Sequence, residues 1–281
     1  MENIINCLEI RDNILKDINV SQGRNIFIQV GNRADSNIYI RNKKRLCDKY
    51  GISHKHVEYE EYITEQELID RIEHFNNCHD VTGIMVQLPL PKHINEEAII
   101  NAIDPKKDID GFTHINKGKL MVGDETAIIP CTPLGIIKIL EGIDFDCKGK
   151  NVVIVGRSNI VGKPMVQLLI NKGATVTCCN SNTPQEKVKE LIFNSDLFIS
   201  AIDKPCYYDV EYFGKDNLTK LNNTIAIDVG IIKVNDKIEG NISKEIYKNF
   251  KAITSVPGGV GLMTVAGVLM NIVKCSKMNI E

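Results

Sequence analysis

Short apolar runs rich in Ile and Val, bounded by Gly, Pro, Asn or Asp, alternate along the chain with longer stretches whose apolar positions recur at helical spacing. The runs predict strands at 25–30, 54–59, 82–86, 151–155, 175–178, 197–200 and 224–228. Most are bounded by such residues, as buried parallel strands usually are. Helical spacing predicts helices at 36–50, 65–76, 161–171, 184–194 and 262–274. Thr132-Pro133 adds a helix start, because a threonine hydroxyl accepts an early backbone N–H and proline tolerates the first turn. Repeated βα units place the chain in the α/β class. A domain change falls just before Thr132, since a strand and a glycine-rich turn follow it.

At 281 residues and 43% hydrophobic, the chain can fill two medium cores. A net charge of -2, with Lys and Arg spread out, gives no footprint for a polyanion, so nucleic acid is not expected as a partner. The opening Met1-Glu2-Asn3 lacks a basic stretch before an apolar one, and no apolar run approaches the roughly 20 residues of a bilayer span. A soluble, cytoplasmic protein with no membrane contact is expected. The nine cysteines are odd in number and never in C-x-x-C spacing, and the six histidines form no ligand pattern. Neither a disulfide framework nor a metal site is expected; the thiols fit a reducing compartment.

The run N-V-V-I-V-G-R-S-N-I-V-G-K-P reads as strand, turn and helix around Gly156, Arg157 and Ser158. Gly156 allows a sharp turn, and Gly162 allows the helix to pack closely while its first N–H groups face a pyrophosphate. The spacing is not G-x-G-x-x-G, so a glycine turn without a ligand stays open. After the next strand, Cys178-Cys179-Asn180-Ser181-Asn182 carries no acidic side chain for ribose hydroxyls, which favours NADP. Arg157 can fork onto a ribose phosphate and Ser181 can donate to it; a solvated arginine and a turn serine are the alternative. In Ile227-Asp228-Val229-Gly230-Ile231 a strand leads into a loop where Ile231 can meet the nicotinamide end.

In the first half, Tyr39 and Lys43 stand four residues apart and so share a helix face. V-Q-L-P-L-P puts Gln87 at a strand's carboxyl end, and K-D-I-D-G-F puts Asp110 in a loop. Ligands of open parallel sheets collect beyond such ends. With Y-I-R-N-K at 39–43, V-Q-L-P-L-P at 86–91, G-R-S-N-I-V-G-K-P at 156–164 and P-G-G-V-G at 257–261, the sequence resembles the bifunctional methylenetetrahydrofolate dehydrogenase/cyclohydrolase (FolD) family across nearly its whole length.

That resemblance implies a catalytic folate-binding domain over 1–130, rejoined by the C-terminal helix over 256–281, and a Rossmann-type NAD(P)-binding domain over 131–255. It implies Lys43 as acid-base residue, Gln87 as its hydrogen-bonding support, and Asp110 as acceptor for the polar edge of the pterin. Tyr39 would stack on the folate rings; Val86, Leu88 and the Pro257, Gly258, Gly259, Val260 and Gly261 segment would line the substrate. The substrates implied are tetrahydrofolate derivatives, with a homodimer as the assembly and one-carbon metabolism feeding purine biosynthesis as the setting. The chain departs from the family pattern at Asp203, where a glycine is usual, at Asn241, where an aspartate is usual, and at Ser255 and Leu262, which replace prolines; the customary D-G-K near the start is absent. Asp203 keeps NAD as an alternative to NADP. Two other readings stay open: a monofunctional NAD-dependent dehydrogenase, and a folate- or nucleotide-binding module without turnover.

Overall fold

The computed structural model describes residues 3–16, 18 and 23–280, with Ala34, Asp35, Ile38, Tyr39 and Ile280 described by backbone alone. Every predicted strand is present within one residue of its expected ends. The chain divides into two compact units, Asp17–Cys131 with Val265–Glu281 and Met1–Lys16 with Thr132–Thr264.

In the first unit, β1 (Arg24–Val30) lies between β2 (His54–Tyr59) and β3 (Val81–Val86), and all three run parallel. All six positions of β3 are buried, which explains why its sequence lacks polar alternation. Ile26, Ile28 and Val30 of β1 join Ile84 and Val86 of β3 against Leu68 and Ile72 of α3 (Glu65–Asn77) and Ile99 of α4 (Glu96–Asn101). Each such fully buried side chain contributes about 1.5–3 kcal/mol of transfer free energy. α3 starts at a capping box in which Thr64 Oγ1 accepts from Glu67 N and the Glu67 carboxylate accepts from Thr64 N. α2 (Ala34–Lys49) follows β1, and α5 (His114–Met121) is capped by the Thr113 side chain.

In the second unit the order is β10-β7-β6-β4-β5, from β4 (Asn151–Val155), β5 (Thr175–Cys179), β6 (Leu197–Ser200), β7 (Ile225–Asp228) and β10 (Ala252–Ile253), every pair parallel. From β4 the chain steps outward to β5, then crosses back past β4 to β6. The order therefore reverses between β4 and β6. One core gathers Val153, Phe198 and Ala226 from the strands with Val188 and Ile192 of α8 (Gln185–Phe193) and the rings of Tyr208, Tyr212 and Phe213. α7 (Gly162–Asn171) buries Met165, Leu168 and Leu169. An antiparallel hairpin, β8 (Ile232–Val234) and β9 (Lys237–Glu239), follows β7.

Three features differ from the expectations. The opening residues, expected with 1–130, pack in the second unit: Ile5 N donates to Ile253 O (2.9 Å), Ile253 N to Asn3 O (2.9 Å), and the Asn3 amide reaches Tyr247 O and Phe250 O. They supply the exposed edge of β10 with the partner that an edge strand otherwise lacks. Residues 256–264, expected with the first half, likewise fall in the second unit, and the chain passes between units within α10 (Val260–Ile280). α6 (Cys131–Gly142) starts one residue before Thr132, whose hydroxyl meets Thr264 Oγ1 at 3.0 Å instead of capping the helix.

α10 also corrects the expectation that no apolar run approaches the length of a bilayer span: Val260–Asn279 meets that length with a mean hydropathy of 1.3. More than half of it, 56%, is buried inside the protein, which accounts for its apolarity without a membrane. α1 (Cys7–Leu15), α4, α5 and α9 (Val210–Phe213) were not anticipated. They are short, and their signals are the caps at Asn6, Asn95, Thr113 and Asp209 rather than a long apolar period.

Candidate active site

β3 ends at Val86, and the ladder continues one bond further, from Gln87 N to Ile28 O at 2.8 Å. That bond fixes Gln87 at the carboxyl edge of the sheet. Its amide nitrogen folds back onto Leu88 O (2.8 Å), which leaves Oε1 free to accept from the Lys43 ammonium at 3.3 Å. Lys43, half-buried on α2, makes a second contact with Met85 Sδ at 3.0 Å. Val86 is buried, Leu88 is half-buried, and the Leu88–Pro89 peptide is cis. Tyr39 lies on the same helix, but its side chain falls outside the described residues.

Asp110 arrives by a different route. Residues 107–109 pair alongside β3, with Ile84 N donating to Lys107 O (2.6 Å) and Ile109 N to Ile84 O (3.2 Å), so the next residue comes level with the end of the strand. The loop is shaped by Asp108, whose carboxylate accepts from Gly111 N, Thr113 N and the Asn116 amide at 2.9, 2.9 and 3.0 Å. From α10, the Asn271 amide donates to Ile109 O and Ile129 O, both at 2.8 Å. The Cys131 thiol reaches Asp110 Oδ1 at 3.8 Å.

Asp110 keeps part of its surface open, yet protein surrounds it on most sides. Burial therefore raises its pKa above the usual carboxylate value; the Lys43 charge pulls it down, Asp108 pushes it up, and the Cys131 thiol pulls it down. Burial also pushes the Cys131 thiol well up, so it acts as a neutral neighbour. One ammonium, one amide and one carboxylate thus converge at the carboxyl end of a parallel sheet, where they can bind a flat heterocycle bearing N–H groups and move a proton beside it. Cys131, Asn271, Met85 and Asp108 were not anticipated there. Cys131 reads as a packing cysteine, and nothing in the pattern of α10 distinguishes Asn271.

In the second unit, Gly156 follows β4 with φ +124°, and a Cβ there would strike the Ala201 carbonyl after β6. A Cβ at Gly162 would strike the Gly156 carbonyl, so both positions accept only a bare backbone. Strand order reverses between β4 and β6, at the first turn of α7, the place where open parallel sheets bind ligands. The bare backbone at Gly156 and Gly162 permits the close approach that a dinucleotide's pyrophosphate needs.

Ser158 Oγ already accepts from Val161 N (3.2 Å) and lies 3.4 Å from Gly162 N, so this hydroxyl organises the turn itself. Arg157 and Ser181 are exposed, and the Arg157 charge is felt at the Cys178 thiol, where burial raises and Arg157 lowers the pKa. Asn180 Oδ1 accepts from Asn182 N (3.0 Å) at the end of β5, and Asp203 is exposed. Ile231 is exposed after β7 and abuts Gly261. In Pro257–Gly261, the peptide before Pro257 is cis, Gly258 has φ +101°, and α10 starts at Val260. This segment belongs to the unit of β4–β7, whereas Lys43, Gln87 and Asp110 belong to the other.

These features define a two-domain α/β protein with a Rossmann-type unit and a separate polar site at the end of a second parallel sheet. Residues 8–110 match the model of the tetrahydrofolate dehydrogenase/cyclohydrolase catalytic domain, and residues 130–280 match that of its NAD(P)-binding domain. The chain belongs to this family. It is 44% identical over 246 residues to the bifunctional protein FolD of Clostridium novyi (strain NT), covering 87% of this chain and 85% of the relative. It is 41% identical over 273 residues to that of Acetivibrio thermocellus, covering 96% and 91%. The crystal structure of bifunctional FolD from Campylobacter jejuni superposes with a TM-score of 0.87 at 36% identity, covering 96% of this chain and 95% of that one. The Trypanosoma brucei FolD, complexed with NADP cofactor and inhibitor, superposes with a TM-score of 0.86 at 29% identity, covering 98% and 96%.

Proposed function

We propose that this protein oxidises 5,10-methylenetetrahydrofolate to 5,10-methenyltetrahydrofolate with NADP and then hydrolyses the methenyl compound to 10-formyltetrahydrofolate. The observation that carries the reading is the Lys43–Gln87 hydrogen bond, 3.3 Å, close to the largely enclosed carboxyl of Asp110. Asp110 accepts from the amino and ring N–H groups of the pterin, which orients the one-carbon bridge, and Tyr39 covers the ring. Val86, Leu88 and the backbone of Pro257–Gly261 are assigned to the substrate.

The oxidation needs alignment and no protein nucleophile. NADP, when bound, supplies the hydride acceptor. Gly156 and Arg157 with Ser181 would hold it, the arginine fork and serine hydroxyl at the ribose phosphate and Ile231 at the nicotinamide end. In the hydrolysis, water adds to the methenyl carbon and the bond to N5 breaks. Of the two protons carried by that water, one ends on N5 and one leaves to solvent. Lys43 moves the proton, and Gln87 Oε1 fixes where its Nζ stands. A monofunctional dehydrogenase would have no use for this pair.

The same reading places the protein in the cytoplasm as a homodimer, with a formyl donor for purine biosynthesis as its product. The family resemblance supports the assembly and the setting. The test is direct: methylenetetrahydrofolate is mixed with the protein and either NADP or NAD, while reduced cofactor and methenyl absorbance are followed together. Reduction with NADP and onward loss of methenyl absorbance is the expected result. Reduction with lasting methenyl accumulation would leave only the dehydrogenase, and no reduction with either dinucleotide would leave a binding module.

A further inference from the structure

Among the polar side chains of the second unit, Asn241 is fully buried and has every hydrogen-bonding position occupied. Its amide nitrogen donates to the carbonyls of Ile202 (2.8 Å) and Lys204 (3.0 Å). Its oxygen accepts from Ser200 Oγ (2.9 Å) and Ile202 N (3.3 Å). One side chain from beyond the β8–β9 hairpin thus makes four hydrogen bonds, one to Ser200 at the end of β6 and three to the turn that follows it. Its own backbone is held in turn: Asn241 N and Gly230 N both donate to Asp228 Oδ1 at 2.9 Å, and Ile242 N donates to Asp228 Oδ2 at 2.8 Å. Asp228 N is anchored on Thr254 Oγ1 (2.9 Å). Space is tight enough to demand glycines on both sides, since a Cβ at Gly230 would press on the Asn241 amide and one at Gly240 on the Asp228 carboxylate.

The turn so held carries Ala201, whose carbonyl packs directly against Gly156 across the reversal of strand order. We propose that Asn241, seated by Asp228, is a positioning residue for the nucleotide: it sets the place and rigidity of the turn at 201–204, the wall of the dinucleotide crevice that faces Gly156. This rests on the reading that the crevice holds NADP. Asn241 touches no reacting atom. It acts by removing the freedom of a loop that leaves the strand ladder after the bond from Ala201 N to Val155 O (2.8 Å), so that ordering this loop is not charged against nucleotide binding. The same clasp holds Gly230 and therefore the start of the segment carrying Ile231.

The test is Asn241→Leu, close in shape, which removes both N–H donors and leaves the two carbonyls facing an apolar side chain. Each buried carbonyl left without a donor weakens the arrangement enough that a rise in KM for NADP of about tenfold or more is expected, with a smaller change in kcat. Methenyl hydrolysis, which consumes no nucleotide, stays within about twofold of the unaltered protein, and amide exchange at residues 201–204 quickens. Ser200→Ala, which removes one donor and strands no carbonyl, is the milder second variant; a rise in KM of roughly two- to threefold is expected of it. An unchanged KM in both variants, or equal losses of oxidation and hydrolysis, overturns the proposal. Slower amide exchange at 156–162 on adding NADP to the unaltered protein tests the underlying reading. If that slowing is present and Asn241→Leu binds NADP normally, only the role of Asn241 falls; if it is absent, the crevice reading falls as well.

Discussion

Replacing Lys43 by methionine separates chemistry from folding more cleanly than any other change at this site. The side chain is half-buried, and its nitrogen has two protein contacts, Met85 Sδ at 3.0 Å and Gln87 Oε1 at 3.3 Å. Methionine keeps most of the stem and its packing, so the folding change comes from one lost charged hydrogen bond, about 1.5–3 kcal/mol. Against a typical folding free energy of about 5–15 kcal/mol, that leaves the protein folded. Loss of a positioned acid-base group is larger in effect, about 100- to 10,000-fold in rate or about 3–5 kcal/mol of barrier. The assay is the decay of methenyl absorbance above the spontaneous rate, run beside circular dichroism. A second readout comes from Asp110, whose pKa burial raises and the Lys43 charge lowers. Without that charge, the pH below which folate binding weakens moves upward. A Lys43→Met protein that hydrolyses the methenyl substrate within about threefold of the unaltered enzyme would refute the role given to this amine. An unmoved pH dependence would refute its coupling to Asp110.

Gly156→Ala puts a Cβ at φ +124° against the Ala201 carbonyl, so a loss of about 2–4 kcal/mol in urea unfolding and failure to bind NADP are expected; normal binding would disprove the close approach. Arg157→Ala changes an exposed side chain and is expected to lower the preference for NADP over NAD; an unchanged cofactor ratio removes the phosphate contact. Asp228 has its pKa raised to about 6 by burial, against the lowering effect of the three N–H donors. A carboxyl raised in the folded state contributes stability that is present below the unfolded pKa near 4 and lost as pH rises through about 6, a change of about 3 kcal/mol. Unfolding by urea between pH 4 and 7 should therefore show a falling contribution in the unaltered protein that is missing in Asp228→Asn, and parallel curves for the two would refute it.

β8, β9 and β10, two or three residues each, left no record in the hydrophobic pattern, whereas that pattern determined β1 to β7 almost to the residue, most plainly β3, β6 and β7, where a parallel strand buried on both faces is a continuous apolar run. The same holds for the bare backbone at Gly156 and Gly162, where only one residue type fits. Short helices such as α1, α4 and α5 left a weaker record, since a few capping bonds replace a long period. The chemistry-bearing residues Lys43, Gln87 and Asp110 were visible through four spaced motifs. Their mutual geometry was not: it depends on a bond from Gln87 N to Ile28 O and on residues 107–109 pairing beside β3, contacts between segments far apart in the chain.

The tertiary structure alone decided that residues 3–5 complete the edge of β10, that Asn271 braces the loop beside Asp110, and that Asn241 clamps the turn after β6. A local period reports what each stretch must bury. It carries no information about which distant carbonyl a buried amide will find, because that choice is made only when the sheets are assembled and every polar group inside must have a partner.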